Sequence, residues 1–194
     1  MFEYIKGSIA ELTPAYVIFE SAGIGYNINI SLQTYSSLEG KKEGIVYLHQ
    51  VVREDAHLLF GFAEKDEREL FRLLISVSGV GANTARVILS SMSASEIQKA
   101  IQNADINALK QIKGIGLKTA QRIVVDLKDK VFGKELGASQ LFSGLNNTSK
   151  DEALSALVML GFNKAAAEKV LDLLLKEDNK QSVEGLIKQA LKRL

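Results

Sequence analysis

Two stretches of the chain carry the residue types from which a phosphate grip can be built. They are "SGVGANTA", Ser78 to Ala85, and, 35 residues further on, "KGIGLKTA", Lys113 to Ala120. Each sets one apolar residue between two glycines and reaches Thr-Ala after two intervening residues. Gly79, Val80, Gly81, Asn83 and Thr84 therefore correspond to Gly114, Ile115, Gly116, Lys118 and Thr119. Glycine tolerates positive φ and lets another backbone approach closely, so such a turn can be tight with its amides facing outward. The first N–H groups of the helix that follows have no intrahelical partner and sit at the positive end of its dipole, which suits a phosphate. Two such turns hold a nucleic-acid backbone without reading its sequence. Lys113, Lys118 and Arg122 lie around the second turn, where phosphates would come. The first turn has Asn83 in place of Lys118 and is expected to grip less strongly.

A single Gly-x-Gly between helices is commonly a helix cap and nothing more. Duplication in register favours binding, because Val77 and Ile112 precede the two turns and Ile88 and Ile123 follow them at matching positions. Neither stretch completes G-x-x-x-x-G-K-[ST] or G-x-G-x-x-G, and neither follows a strand, so a nucleotide-binding loop is a poorer fit. The central Val80 and Ile115 are expected to point inward and tie each pair of helices together.

Elements of helical period must position these turns. From Glu64, "EKDERELFRLLISV" places Leu70, Phe71, Leu74 and Val77 on one face behind an acidic first turn. Ser93 and Glu96 have capping-box spacing, and Asp105 can cap "INALKQI". The helical segment is expected over 64–137, followed by a flexible linker at 138–148 where Gly, Ser and Asn accumulate in "GASQLFSGLNN". A three-helix bundle is expected over 149–194, with Ser149, Asn163 and Ser182 as caps.

Residues 1–63 read differently. In "YNINIS", Tyr26, Ile28 and Ile30 alternate with asparagines, the period of a half-buried strand. "AYVIFES" and "GIVYLHQVV" are rich in β-branched and aromatic residues, and turn signals at Thr13-Pro14, "SAGIG" and "EGKKEG" separate the runs. An OB-like barrel is expected, with "SLQTYSSLE" as a helical interruption. The fold class is thus α+β and multidomain.

Composition narrows the function. With 46% hydrophobic and 24% charged residues the chain is globular, and with no Cys it has no disulfide scaffold, cysteine nucleophile or thiolate metal site. No apolar run nears the roughly 20 residues that span a bilayer, so a cytoplasmic protein without membrane contact is expected. The net charge of +1 conceals an uneven distribution. Residues 1–63 hold 4 Lys/Arg against 7 Asp/Glu, residues 64–137 hold 12 against 9, and residues 138–194 hold 8 against 7. The segment with the repeats is the basic one.

The paired turns resemble tandem helix-hairpin-helix motifs. With a barrel ending in "VVREDAHLLFGF" and a small bundle containing "LVMLGFNKAAAEKVL", the whole chain resembles the RuvA family, bacterial subunits that bind Holliday junctions. The resemblance implies a homotetramer that holds four-way junction DNA open and flat, with a UBA-like third domain that recruits a hexameric AAA+ ATPase motor. It also implies a junction-resolving nuclease as a further partner, and no cofactor or metal. Glu54 and Asp55 match the family's acidic pin at the centre of the junction, and Arg53 beside them could contact a phosphate. Leu160, Phe162, Leu171, Leu174 and Leu175 are candidates for the motor-docking face, although core is the alternative for each. The hairpins depart from the family's pattern at Ala82, Asn83 and Leu117, where Pro or extra Lys is often found.

Two rivals belong to other classes. A helix-hairpin-helix DNA glycosylase needs a catalytic Asp about 20 residues past the turn, but Asp126 and Asp129 come too early within the continuous pattern "AQRIVVDLKDKVF". His49 and His57 are too isolated for a metal site, so no catalytic residue is assigned. A single-strand-binding barrel needs a basic aromatic face, and residues 1–63 carry a net charge of −3.

Overall fold

Alternation of large apolar side chains with polar ones closes the first part of the chain into a barrel. In the computed structural model, which describes residues 2–135, 149–177 and 181–194, the strands are β1 (Tyr4–Leu12), β2 (Tyr16–Ser21), β3 (Ile24–Ile30), β4 (Glu43–Val52) and β5 (His57–Phe62). They form a closed barrel in the order β1-β2-β3-β5-β4. Within it the β3–β5 pairing is the parallel one. Helix α1 (Leu32–Leu38) spans the β3–β4 connection, where "SLQTYSSLE" pointed. This is the OB arrangement. Ile5, Val17, Phe19, Ile28, Ile30, Val46 and Leu48 fill the interior. Gly61 makes room for them: a Cβ there would lie 2.5 Å from Ile28 Cγ2 and 2.6 Å from Val46 Cγ1.

Five helices follow: α2 (Lys65–Ile75), α3 (Ala82–Ser91), α4 (Ala94–Gln102), α5 (Ile106–Lys110) and α6 (Leu117–Glu135). Ser93 and Glu96 form the expected capping box at α4, and Asp105 accepts from the Ala108 N–H at 3.0 Å at α5. Leu70, Phe71, Leu74 and Val77 are all buried, as their spacing requires. Residues 138–148, the expected linker, lie outside the described residues.

Barrel and helices pack together across residue 63. Met1–Phe132 is one compact unit. Phe60 and Phe62, at the end of the barrel's last strand, belong to the helical core and pack on Phe71 of α2, with ring centroids 5.2 and 4.9 Å apart. Two charged residues of α2 complete the joint. Both carboxylate oxygens of Glu67 accept hydrogen bonds, one from the Ser31 hydroxyl and one from Thr34 Oγ1 at 2.8 Å. The Thr34 hydroxyl also accepts from the Ala63 N–H at 3.2 Å. Arg68 pairs with the Glu3 carboxylate, donates to the Glu3 carbonyl at 2.8 Å and lies over the Tyr47 ring. From α3, Arg86 donates to the Ala15 carbonyl at 2.9 Å and to Asn29 Oδ1 at 3.3 Å.

The second unit, Gly133–Leu194, contains α7 (Ser149–Met159), α8 (Lys164–Glu177) and α9 (Val183–Ala190). Ala153, Leu157, Ala167, Leu171, Leu174, Leu186 and Ala190 form its core. Asn163 Oδ1 accepts from the Ala165 and Ala166 N–H groups at 2.9 and 3.3 Å, and Ser182 caps α9. Gly161, at φ +97°, ends α7 in a Schellman turn, with the Phe162 N–H on the Leu157 carbonyl and the Gly161 N–H on the Val158 carbonyl. Leu171 and Leu174, expected on a docking face, are instead fully buried. The bundle is too small to build a core without them.

Burial raises the pKa of Glu67 above its usual 4.5, against the opposing pull of its two hydroxyl donors. The folded state therefore binds more protons than the unfolded state in the window that opens at 4.5 and ends at the raised value. Stability falls as pH rises through that window. Glu67→Gln is expected to flatten this part of the stability curve, which urea unfolding at a series of pH values would measure.

Candidate nucleic-acid interface

Three backbone features repeat at the two turns. Gly79 and Gly114 both have φ +90°. The Val80 N–H donates to the Val77 carbonyl at 3.0 Å, and the Ile115 N–H donates to the Ile112 carbonyl at 3.0 Å. The Ala85 N–H reaches the Gly81 carbonyl at 2.9 Å, and the Ala120 N–H reaches the Gly116 carbonyl at 2.9 Å. Thus the sequence repeat is also a conformational repeat.

Within each turn the two glycines do different jobs. Gly79 and Gly114 occupy the left-handed region that side chains disfavour. Gly81 has φ −83° and ψ 168°, an extended conformation open to other residues, and a Cβ added at Gly81 or Gly116 would meet nothing within 4 Å. No demand for space inside the chain requires glycine at these two positions, so their clearance is on the outer surface. Gly81 also stands at the N-cap of α3 with no side chain to bond the helix's first amides. Those amides remain donors for an external anion. Gly116 precedes α6 in the same way.

Val80 and Ile115 stand at the centres of the turns expected to hold a phosphate. Their side chains are only 4% and 5% exposed, and their amides close the turns. Their part is to root each turn in the core, the inward role also expected of them. Ser78, Asn83, Lys113, Lys118 and Arg122 are exposed, and Thr119 is half-buried. Arg122 departs from its expected place. The sequence puts it at the second turn, but its Nη1 lies 3.5 Å from the Ser78 carbonyl oxygen and 3.4 Å from Ser78 Oγ, at the mouth of the first. Helical spacing could not show this, because the contact joins residues of different repeats.

Arg53, Glu54 and Asp55 occupy the reversal between β4 and β5. The last strand pair is Val52 with His57, the Arg53 N–H donates to the Ala56 carbonyl at 2.9 Å, and all three side chains are exposed. In the bundle, Leu160 is 61% exposed, while Phe162 and Leu175 are half-buried. The exposed apolar surface also includes Met159 at 83% and Leu173 at 55%. Neither stands out in the sequence. Met159 ends a helix beside a glycine turn, and a leucine-rich helix gives no single clear apolar stripe that would set Leu173 apart.

Asp126 and Asp129 are exposed on α6. His49 packs on Phe71 with ring centroids 5.3 Å apart, and burial together with the charges of Arg72 and Arg68 lowers its pKa. Among the described residues, no three His, Asp or Glu side chains gather as a metal ion would need, and no helix is long and apolar enough to cross a membrane.

A closed OB barrel that shares a core with two helix-hairpin-helix turns, followed by a separate three-helix unit, defines a barrel-and-tandem-hairpin class of protein. Comparison with known families divides the chain in the same order: "RuvA N terminal domain" matches residues 1–61, "SAM-like Helix-hairpin-helix tandem" residues 71–129, and "RuvA, C-terminal domain" residues 149–194. Among curated proteins, those of Parabacteroides distasonis, Christiangramia forsetii and Bacteroides fragilis are 57%, 53% and 50% identical to it, each comparison covering both chains completely. Each of the three is named "Holliday junction branch migration complex subunit RuvA". The chain belongs to the RuvA family.

The two glycine roles separate in a stability measurement. Gly79→Ala and Gly114→Ala force a side chain into the left-handed region and are each expected to cost about 1–3 kcal/mol. Gly81→Ser and Gly116→Ser place a good N-cap residue in open space and should leave stability within about 0.5 kcal/mol of the parent or slightly above it. Urea unfolding of the four variants checks both expectations.

Proposed function

We propose that this chain is a non-catalytic DNA-binding subunit that recognises four-way junctions and serves branch migration in recombination and repair. The observation that carries this reading is the pair of turns with matching backbone geometry, rooted in one core, each with uncapped helix amides facing outward. Gly79, Gly81, Gly114 and Gly116 would bring backbone amides to phosphates of a duplex arm, with Asn83 and Thr119 at the edges and Lys113 and Lys118 adding charge. The names carried by relatives that match the full length support the same reading.

The subunit would act as a homotetramer, with Arg53, Glu54 and Asp55 of each copy near the crossover. Carboxylates there would repel phosphates and help keep the strands apart, while Arg53 contacts one. The exposed apolar side chains of the bundle, Met159, Leu160 and Leu173, with the half-buried Phe162 and Leu175, would be the ones available to dock a hexameric AAA+ ATPase. A junction-resolving nuclease would be a further partner, and the cytoplasm the place of action.

A gel-shift competition at fixed salt tests the reading, with a synthetic four-way junction set against duplex and single strand of matched length. The junction is expected to win, with the complex migrating at tetramer size. Equal affinity for all three substrates would overturn the proposal. Gly81→Ser and Gly116→Ser, whose serine hydroxyls would take the helix amides for themselves, are each expected to lower junction affinity about tenfold. Lys113→Ala and Lys118→Ala should each flatten the dependence of log K on log salt by about 0.9 for every phosphate left without its cation.

A further inference from the structure

The two turns are alike in backbone and unlike in charge. In register, the second repeat presents Lys113, Lys118 and Arg122, while the first presents Ser78, Asn83 and Val87. Arg86 is the one cation of α3, and its guanidinium is turned to the barrel, on the Ala15 carbonyl and Asn29 Oδ1. From Ser78 to the end of α3, then, the first repeat has amides for a phosphate but no free positive charge.

The fold brings a charge across. Arg122 starts from the second turn of α6, and its Nη1 rests on the carbonyl and hydroxyl oxygens of Ser78. Ser78 precedes Gly79 and stands in register with Lys113. We propose that Arg122, although encoded in the second repeat, supplies the phosphate-binding cation of the first hairpin. This inference rests on the DNA-binding reading above.

Guanidinium chemistry suits the task. Arginine offers five N–H donors in a planar fork, and Ser78 engages only one of its nitrogens. The remaining donors stay open to solvent, because the side chain is exposed, and they match the bidentate geometry of a phosphate. The Ser78 contacts, at 3.4 and 3.5 Å, place Nη1 beside the residue three positions before Gly81, the uncapped start of α3. The three cations of the second repeat are thereby shared, with two lysines at the second turn and the arginine at the first. The grips become more nearly equal than the sequence repeat suggests.

Junction binding by the full-length chain tests the assignment through double-mutant cycles and a rescue. Arg122→Ala is expected to weaken binding about tenfold and to reduce the salt slope by about one phosphate's share. Asn83→Lys puts a lysine at the first turn in the register of Lys118, and in the Arg122→Ala background it should restore affinity to within about twofold of the parent. Arg122→Ala should add little to Gly81→Ser, which already disables the first turn, and should keep its full effect on Gly116→Ser. Full additivity with Gly81→Ser, coupling to Gly116→Ser, or failure of Asn83→Lys to rescue would overturn the assignment and leave the DNA-binding reading standing. A parent protein without preference for the junction, or single serine variants that bind as the parent does, would overturn the DNA-binding reading and this inference with it.

Discussion

One apolar core anchors both hairpin turns, and the spacing of the outward-facing groups depends on it. Val80 and Ile115 are buried in the same cluster as Phe60 and Phe62 of the barrel, Leu70 and Leu74 of α2, and Ile123 and Leu127 of α6. A turn rooted in its own small core could rock against its neighbour. Here neither can move without disturbing side chains that also support the other, because close-packed interiors transmit displacement. The backbone of DNA has fixed phosphate spacings, and two grips held at one separation lose less freedom on binding than two that move independently.

The polar joints serve the same constraint in a different way. Hydrophobic contact between β5 and α2 is non-directional and would tolerate some sliding. The Ser31 and Thr34 hydroxyls on Glu67, and the Glu3 backbone on Arg68, do not tolerate it, because a buried polar group that loses its partner costs about 1–3 kcal/mol. Arg86 adds a third fastening, from α3 to the β1–β2 turn and to β3. The barrel is thereby keyed to the helices at one register, and the acidic tip between β4 and β5 belongs to the same compact unit as the turns.

Much of this was legible in the sequence, for reasons that are local. Strand alternation at Tyr26, Ile28 and Ile30, the capping box at Ser93 and Glu96, and the duplicated glycines depend on near neighbours, and period and spacing record such dependence directly. The burial of Glu67 and Arg68 was not legible. Both read as members of a charged helix start, and their partners lie 36 and 65 residues away along the chain. Arg122 escaped for the same reason, since its contact with Ser78 spans 44 residues. In the bundle, a run of leucines marked a helix without separating Leu171 and Leu174, which face inward, from Leu173, which faces solvent. Small helical units bury so large a share of their apolar residues that composition alone does not mark the outer face.

The near-neutral charge follows from the way the proposed grip works. Helix amides attract phosphate through fixed dipoles and carry no net charge, so a chain at +1 can bind DNA without the broad basic surface that non-specific binders show. Each such grip is weak. Affinity must come from repetition, first within the chain through two hairpins and then across the copies of the proposed tetramer, where every bound arm raises the effective concentration of the next. In the proposed tetramer repetition would also supply selectivity: a linear duplex could satisfy only the grips along one path, whereas a four-way junction could engage all of them. Weak grips without base contacts suit a partner that must let DNA pass through it, because no sequence along the arm is held more tightly than another.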